Sequence, residues 1–231
     1  MANETAVLRL ISSFVISFGV ALAPAPVAAC GVALALTVDI SGSVDEYEYD
    51  LQMGGSADAL PDGWLRMRWF LKKAAVMVVH WSGQSRQIVV VPWTRVESVE
   101  NADRLVQLLD DVPRAWRNFS TGIGEALAFT ANQFCVVADC ERRVIDVSGD
   151  GVANAGPAVA PVGFAIGSKG VTINGLVITG AKPNPVPYFE KQVIGGPFAF
   201  VEVANSYADY PRAMKRKLLR ELTPAYSMLM D

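Results

Sequence analysis

The sequence contains one histidine, three cysteines and no long block of basic residues. His80 is the only histidine, which argues against catalytic triads and zinc sites. Its valine-rich surroundings favour a position in the core. The 20 basic residues do not outnumber the 23 acidic ones, and the one basic run, Lys215–Lys217, lies inside a helical pattern. We therefore expect no nucleic-acid binding.

The sequence also lacks a hydrophobic run long enough for a transmembrane helix. Its apolar stretch near the amino terminus, Leu10–Ala23, has about 14 residues, whereas roughly 20 are needed to cross a bilayer. This stretch follows Arg9 and precedes the small residues of 24–29, which is the pattern of a cleaved signal peptide. We predict an export signal in residues 1–29 and one domain in residues 30–231. The mature protein is then periplasmic or secreted, with no membrane span after signal removal.

The few cysteines fit an oxidising compartment. The segment Val27–Cys30 resembles a bacterial lipobox, so lipidation of Cys30 is an alternative to secretion of a soluble domain. We disfavour that alternative because a predicted strand begins two residues later, which leaves no tether between a membrane anchor and the folded core.

Apolar runs alternate with amphipathic segments along the mature chain. Val32–Val38 is apolar almost throughout, as in a strand buried on both faces. Ala74–Trp81 and Gln87–Val96 flank a short polar turn and predict an antiparallel hairpin. The order predicts an α/β fold, a doubly wound and mostly parallel central sheet with one antiparallel edge strand and helices on both faces. Other predicted strands cover 143–148, 171–179 and 199–203, and predicted helices cover 44–60, 63–73, 101–112, 121–134, 157–169, 188–194 and 207–222.

Oxygen-bearing side chains follow two of these strands. Asp39, Ser41 and Ser43 come after the first strand, and Asp150 follows strand 143–148 between two glycines. Ligands bind beyond the carboxyl ends of the strands in open parallel sheets, so neighbouring strands would bring these groups together. Such hard oxygen donors suit Mg²⁺, with Ca²⁺ or Mn²⁺ as substitutes. The alternative is a loop in which Asp39 and the serines cap the next helix.

The run Asp39–Ser43 resembles the DxSxS motif of the metal-ion-dependent adhesion site (MIDAS) in von Willebrand factor type A (VWA) domains. VWA domains are also doubly wound and also carry an antiparallel hairpin at one edge. The likeness covers the whole mature chain. It implies that Thr121, at the start of a predicted helix, and Asp150 complete the site. The family has Thr-Asp-Gly where this sequence has Gly149-Asp150-Gly151.

The resemblance also implies a role for each residue of the site. Ser41, Ser43 and Thr121 would touch the metal directly or nearly so, while Asp39 and Asp150 would act largely through water. An ion with few direct negative ligands stays electrophilic. A glutamate or aspartate of a protein partner would then fill its vacant position, which implies metal-dependent protein binding.

Two longer stretches, "LALTVDISGSVDEYEY" and "VIDVSGDG", are similar to a group of exported bacterial proteins of unknown function within the VWA superfamily. That likeness implies no activity. A Mg²⁺-dependent phosphohydrolase on a similar sheet is an alternative function, and so is a metal-free scaffold. The hydrolase is disfavoured because Ser41 stands where such enzymes carry a second carboxylate.

The spacing of the cysteines predicts a disulfide. Cys30 lies nine residues before Asp39, and Cys140 lies ten before Asp150. On adjacent parallel strands the two cysteines would reach the opposite end of the sheet at a similar height. We predict a Cys30–Cys140 bridge with Cys135 free. The alternative is a local Cys135–Cys140 bridge with Cys30 lipidated or free.

Overall fold

The structure is a computed structural model that describes residues 30–59 and 63–223. The predicted signal peptide, residues 1–29, lies outside the described residues. The strands are β1 (Cys30–Asp39), β2 (Ala75–Trp81), β3 (Gln87–Arg95), β4 (Cys140–Gly149), β5 (Val171–Ile178) and β6 (Val201–Ala204). The helices are α1 (Glu46–Ala59), α2 (Gly63–Leu71), α3 (Val99–Asp110), α4 (Ile123–Asn132), α5 (Val159–Gly167), α6 (Val186–Tyr188) and α7 (Tyr210–Leu222).

The six strands form one sheet in the order β3-β2-β1-β4-β5-β6. Strand β3 runs antiparallel to β2 at one edge, and all the other neighbouring strands are parallel. Strands β2 and β3 continue the sheet on one side of β1, and β4, β5 and β6 continue it on the other side. Strands β1 and β4 therefore lie side by side in the middle of the sheet. This is the predicted fold class, and it puts the loops after β1 and β4 next to each other.

Helices cover both faces of the sheet. Helices α1, α2, α3 and α7 pack on one face, and α4 and α5 pack on the other. Along β1, Leu34 and Leu36 point into the first core, while Ala33 and Ala35 point into the second. This alternation explains why the run is apolar at nearly every position. Within the described ranges, every helix is too short or too polar to cross a membrane.

Several elements begin or end away from their predicted positions. Strand β4 starts at Cys140 instead of residue 143, because Cys140 pairs with Cys30 and extends the ladder by three residues, two of which, Glu141 and Arg142, are charged. The predicted helix 188–194 is a single turn, α6, followed by a π-helical turn at Phe189–Val193. The last predicted helix opens as a 3₁₀ turn at Tyr207–Asp209 before α7 begins.

The predicted disulfide between Cys30 and Cys140 is present. The two residues are register partners on β1 and β4, their Cα atoms lie 4.3 Å apart, and the bond joins positions separated by 110 residues. Cys135 is exposed and free. The alternative Cys135–Cys140 bridge is therefore wrong. A lipid thioether on Cys30 is incompatible with this bond, because both would need the same sulfur atom.

Candidate metal centre

Three loops meet at the carboxyl end of the sheet. Asp39 is the last residue of β1, Asp150 follows β4, and Thr121 lies two residues before α4. Because β1 and β4 are parallel neighbours, their carboxyl ends reach the same edge. The structure thereby brings together all five side chains that the sequence placed in the site, Asp39, Ser41, Ser43, Thr121 and Asp150.

Hydrogen bonds link four of these side chains in a row. Thr121 Oγ1 lies 3.4 Å from Ser41 Oγ, and Ser41 Oγ lies 3.2 Å from Ser43 Oγ. Ser43 Oγ donates to Asp150 Oδ1 at 2.8 Å. Each of these side chains therefore lies within 3.4 Å of the next one in the row, although they come from three separate loops.

Asp39 is fully buried beside this row. Its Oδ1 accepts the backbone N–H of Ser41 at 2.8 Å, while its Oδ2 is buried without a hydrogen-bond partner among the described residues. Burial, followed by the nearby Asp150 carboxylate, raises the pKa of Asp39 to about 7, although the Ser41 hydrogen bond and the Arg114 charge oppose the shift. A buried carboxylate with one orphaned oxygen is the group that a bound cation stabilises.

The residues fit a divalent cation that prefers oxygen ligands. Hydroxyls and carboxylates are hard donors, which suit Mg²⁺, Ca²⁺ or Mn²⁺. Gly149 leaves room for this arrangement, since a Cβ there would lie 3.1 Å from Asp39 Oδ2. In the described part of the chain no three His, Cys, Asp or Glu side chains cluster closely enough to hold a metal. A cation at this position would therefore depend on the hydroxyls.

The alternative role of the DxSxS loop, capping of the next helix, is not what the structure shows. Helix α1 follows Asp45, whose Oδ1 accepts the backbone N–H of Glu48 at 2.8 Å. In return, Glu48 Oε2 accepts the backbone N–H of Asp45 at 2.8 Å. This reciprocal pair is a capping box. The first turn of α1 is thus capped without Asp39, Ser41 or Ser43.

Arg114 holds the loop after β1 in place, and sequence reasoning missed it. Its Nη2 donates to the carbonyl oxygens of Ile40, Ser41 and Val44 at 3.1, 3.0 and 2.6 Å. These bonds fix the backbone on both sides of the serines. Arg114 lies in a segment with neither helical nor strand periodicity, so no sequence pattern could have singled it out.

Thr121 is positioned by its backbone neighbours. Its N–H donates to Asn154 Oδ1 at 2.8 Å, which ties the loop before α4 to the loop after β4. The next residue, Gly122, donates to the carbonyl of Ser82 at 2.9 Å, and a Cβ on Gly122 would lie 2.8 Å from that oxygen. The glycine therefore allows the start of α4 to approach the end of β2.

His80 has the core position that the sequence predicted. It is fully buried, and its Nε2 lies 3.5 Å from the hydroxyl of Tyr49. Burial, reinforced by the positive charge of Arg114, lowers the pKa of His80 to about 4. The imidazole is therefore neutral at physiological pH and packs as part of the core.

A cleft of about 600 Å³ adjoins the row of hydroxyls. Ser43 and Asp150 belong to its lining, as do the capping residues Asp45 and Glu48 and the ring of Tyr207. Burial and the neighbouring carboxylates raise the pKa of Tyr207 well above its usual range, so its hydroxyl stays protonated. The cleft thus has an acidic lining and leads directly to the candidate metal position.

A family profile described as "Protein of unknown function (DUF1194)" matches residues 29–226. The chain belongs to the DUF1194 family. Comparison with curated proteins gives no match for this DUF1194 protein.

Solved structures share the fold of the DUF1194 protein. The pilus adhesin SpaC from Lactobacillus rhamnosus GG has a TM-score of 0.63 at 13% identity, covering 84% of this chain and 31% of that one. A von Willebrand factor type A structure from Catenulispora acidiphila has a TM-score of 0.60 at 15% identity, covering 84% and 43%. Proximal thread matrix protein 1 from the mussel byssus, with a zinc-occupied MIDAS motif, has a TM-score of 0.61 at 15% identity, covering 84% and 46%.

The DUF1194 protein spans less than half the length of each of these three proteins. At such low identity the likeness concerns the fold alone, and that fold is VWA-like. It agrees with the strand order and with the antiparallel edge strand described above.

Proposed function

We propose that this DUF1194 protein is a metal-dependent protein-binding module whose divalent cation is held by Asp39, Ser41, Ser43, Thr121 and Asp150. The observation that carries the proposal is the continuous row of oxygen atoms from Thr121 to Asp150. The orphaned Oδ2 of Asp39 beside that row supports it. A structural scaffold would gain nothing from the buried Asp39 Oδ2, because a buried acceptor oxygen without a donor costs free energy.

The hydroxyls of Ser41, Ser43 and Thr121 are neutral ligands, so most of the ion's charge would remain uncompensated. Asp39 and Asp150 would act largely through water and would orient that water. Mg²⁺ is the expected ion because it keeps several waters and accepts few protein ligands. Ca²⁺ or Mn²⁺ suit the same oxygens. When bound, the ion supplies an electrophilic position that an acidic side chain of a partner protein can fill.

The partner protein would extend from the metal into the cleft beside Ser43 and Asp150. Asp45 and Glu48 give this cleft a negative lining. Because complementary charge favours association, we expect the partner to carry basic residues next to the acidic one that reaches the ion.

The Cys30–Cys140 disulfide supports an oxidising location for this encounter, since such bonds persist outside the cytoplasm. A periplasmic or secreted protein that begins near Cys30 would present the carboxyl end of its sheet to partners in that compartment. The predicted signal peptide in residues 1–29 is consistent with this location.

Metal affinity is the direct test. Titration calorimetry with Mg²⁺, and electron paramagnetic resonance with Mn²⁺, should show one site in the wild type. Asp39→Asn keeps the shape and an acceptor for Ser41, and we expect it to weaken binding about tenfold to a hundredfold, as for other groups that orient metal ligands. Thr121→Ala should have a similar effect. Ser120→Ala is the matched control, because Ser120 is an exposed residue next to Thr121 and lies outside the row.

Equal affinity in the wild type, Asp39→Asn and Thr121→Ala would contradict the proposed site. Partner binding is tested separately by capture from periplasmic extract with and without a chelator. A partner of the proposed kind is retained by the wild type and by Ser120→Ala, and is lost with the chelator and with Thr121→Ala. Retention in the presence of the chelator would reject metal-dependent binding.

A further inference from the structure

A buried cluster of charges lies between α7 and the sheet, away from the candidate metal centre. Lys217 and Glu221 on α7 and Asp146 on β4 are each at most 1% exposed. Lys217 Nζ lies 2.6 Å from Asp146 Oδ2 and 2.5 Å from Glu221 Oε1. One ammonium group therefore faces two carboxyl groups. Burial raises the pKa of Asp146, and the Glu221 carboxylate adds to the shift although Lys217 opposes it.

Only one of the two carboxylate oxygens of Glu221 has hydrogen-bond partners within this cluster. Its Oε1 is contacted by Lys217 and accepts a hydrogen bond from Asn174 Nδ2 at 2.7 Å. Its Oε2 is buried and has no hydrogen-bond partner among the described residues. A buried charged acceptor without a donor is costly, and an unbalanced buried charge is more so. A further positive charge near Glu221 would therefore stabilise the cluster, which has two carboxyl groups and one ammonium group.

Glu221 and Asn174 line a cavity of about 220 Å³ at the amino end of β4 and β5. Since one water occupies about 30 Å³ in the liquid, this space is large enough for a small organic molecule. Two guanidinium groups, of Arg142 and Arg220, line the same cavity. Arg220 lies over the ring of Phe200, 3.8 Å from its centroid, which fixes the charge beside an apolar wall.

The cavity therefore has two poles. The Glu221 carboxylate and the Asn174 amide are buried, whereas Arg142 is half-buried and Arg220 is exposed. Negative charge thus lies at the inner end and positive charge lies toward the solvent. A purely anionic ligand would meet Glu221, and a purely cationic ligand would meet the two guanidinium groups, so neither suits both ends.

We propose that this cavity binds a small zwitterion, such as an amino acid, with its primary ammonium group at the Glu221 end of the cavity and its carboxylate toward Arg142 and Arg220. The ammonium group adds positive charge beside two carboxyl groups that share a single lysine. Guanidinium groups are well matched to carboxylates. The site is separate from the candidate metal centre, because Arg142, near the amino end of β4, and Gly149, at its carboxyl end, are about 23 Å apart.

Titration calorimetry with three zwitterions tests the site. Alanine, 4-aminobutyrate and 6-aminohexanoate differ in the separation of their charged groups, while butylammonium and butyrate each carry one charge only. We expect at least one of the three zwitterions to bind with a dissociation constant of about 1 mM or below. Butylammonium and butyrate should bind at least about tenfold more weakly, since each leaves one pole without a partner.

Two variants localise the binding. Glu221→Gln keeps the shape and one acceptor but removes the charge, and should weaken zwitterion binding at least tenfold. Arg220→Gln changes an exposed residue, so it keeps the test valid if the first variant unfolds, and should reduce zwitterion binding to the level of butylammonium. Glu202→Gln is the matched control, because Glu202 is another buried carboxylate near α7 and pairs with Arg212 outside the cavity.

The proposal is overturned if none of the three zwitterions binds, or if both Glu221→Gln and Arg220→Gln bind the best zwitterion as the wild type does. Asp39→Asn should leave zwitterion affinity unchanged. A zwitterion site that survives in Asp39→Asn therefore stands whether or not the metal centre is confirmed.

Discussion

Removal of the disulfide between Cys30 and Cys140 should destabilise the domain by about 4 to 5 kcal/mol. The bond joins two central strands and closes a loop with a sequence separation of 110 residues. In the chain-entropy relation a loop of this length restricts the unfolded chain by about 16 cal/mol/K, which is about 4.8 kcal/mol near room temperature. The effect is large because the crosslinked positions are far apart in sequence and adjacent in the sheet.

The assay is urea unfolding of the double variant Cys30→Ala/Cys140→Ala beside the wild type. When the same proteins are unfolded by heat, each kcal/mol corresponds to about 2 to 4 °C in melting temperature for a domain of this size. The variant should therefore melt roughly 10 to 20 °C lower than the wild type. The wild type with a reducing agent should resemble the double variant. Cys135→Ala is the control, and it should change stability by no more than about 0.5 kcal/mol because Cys135 is exposed.

Peptide mapping without reduction must first link Cys30 to Cys140 in the purified protein. If that link is present and the double variant still loses less than about 1 kcal/mol, then constraint of the unfolded chain is not what the bond contributes. The entropic reasoning would then be refuted for this domain, although the pairing itself would stand.

Three further predictions concern buried charge and the candidate metal centre. Lys217→Met leaves two buried carboxyl groups without their cation, so it should lower the free energy of unfolding, measured in urea, by about 3 to 5 kcal/mol. A change below about 1 kcal/mol would show instead that the carboxyl groups are neutral in the fold. Gly149→Ala should weaken Mg²⁺ binding in calorimetry, because its methyl group would lie 3.1 Å from Asp39 Oδ2, whereas Gly151→Ala meets nothing within 4 Å and should bind as the wild type does. Burial raises the pKa of Asp39 from 3.8 to about 7, so its protonated form favours the fold and that contribution is lost as pH rises between these values. Without metal, the wild type should therefore lose stability relative to Asp39→Asn over this range, and parallel stability curves for the two proteins would contradict the shift.

The sequence was informative where burial leaves a strong pattern. Val32–Val38 is apolar on both faces because β1 lies in the middle of the sheet, and this pattern alone predicted that Asp39 lies at a carboxyl edge. The spacing of Cys30 and Cys140 relative to Asp39 and Asp150 predicted the bridge, since parallel strands advance at the same rate per residue. The hydroxyls followed from the DxSxS pattern and from the resemblance to VWA domains.

Contacts between distant polar residues could not be predicted in the same way. Lys217 belongs to a basic run in an amphipathic helix, yet it points inward, and its partner Asp146 precedes it by 71 positions in the sequence. Arg114 gives no pattern because its role is to donate to backbone carbonyls, which every residue carries. Such contacts depend on the final packing of helices against the sheet and leave no periodicity in the chain.

The register of β1 against β4 connects the disulfide with the candidate metal centre. A slip of one residue would move Asp150 by about 3.3 Å and would break its 2.8 Å bond to Ser43. The disulfide is one of several constraints on this register, because Leu34 pairs with Val144 in the ladder and Thr37 Oγ1 donates to the carbonyl of Asp146 at 2.9 Å. We therefore expect the Cys30→Ala/Cys140→Ala variant, held well below its melting temperature, to bind Mn²⁺ within about twofold of the wild type, since the side-chain geometry at the far end of the strands is retained. A tenfold loss of affinity in the folded variant would instead show that the bond at the amino end positions the oxygens at the carboxyl end.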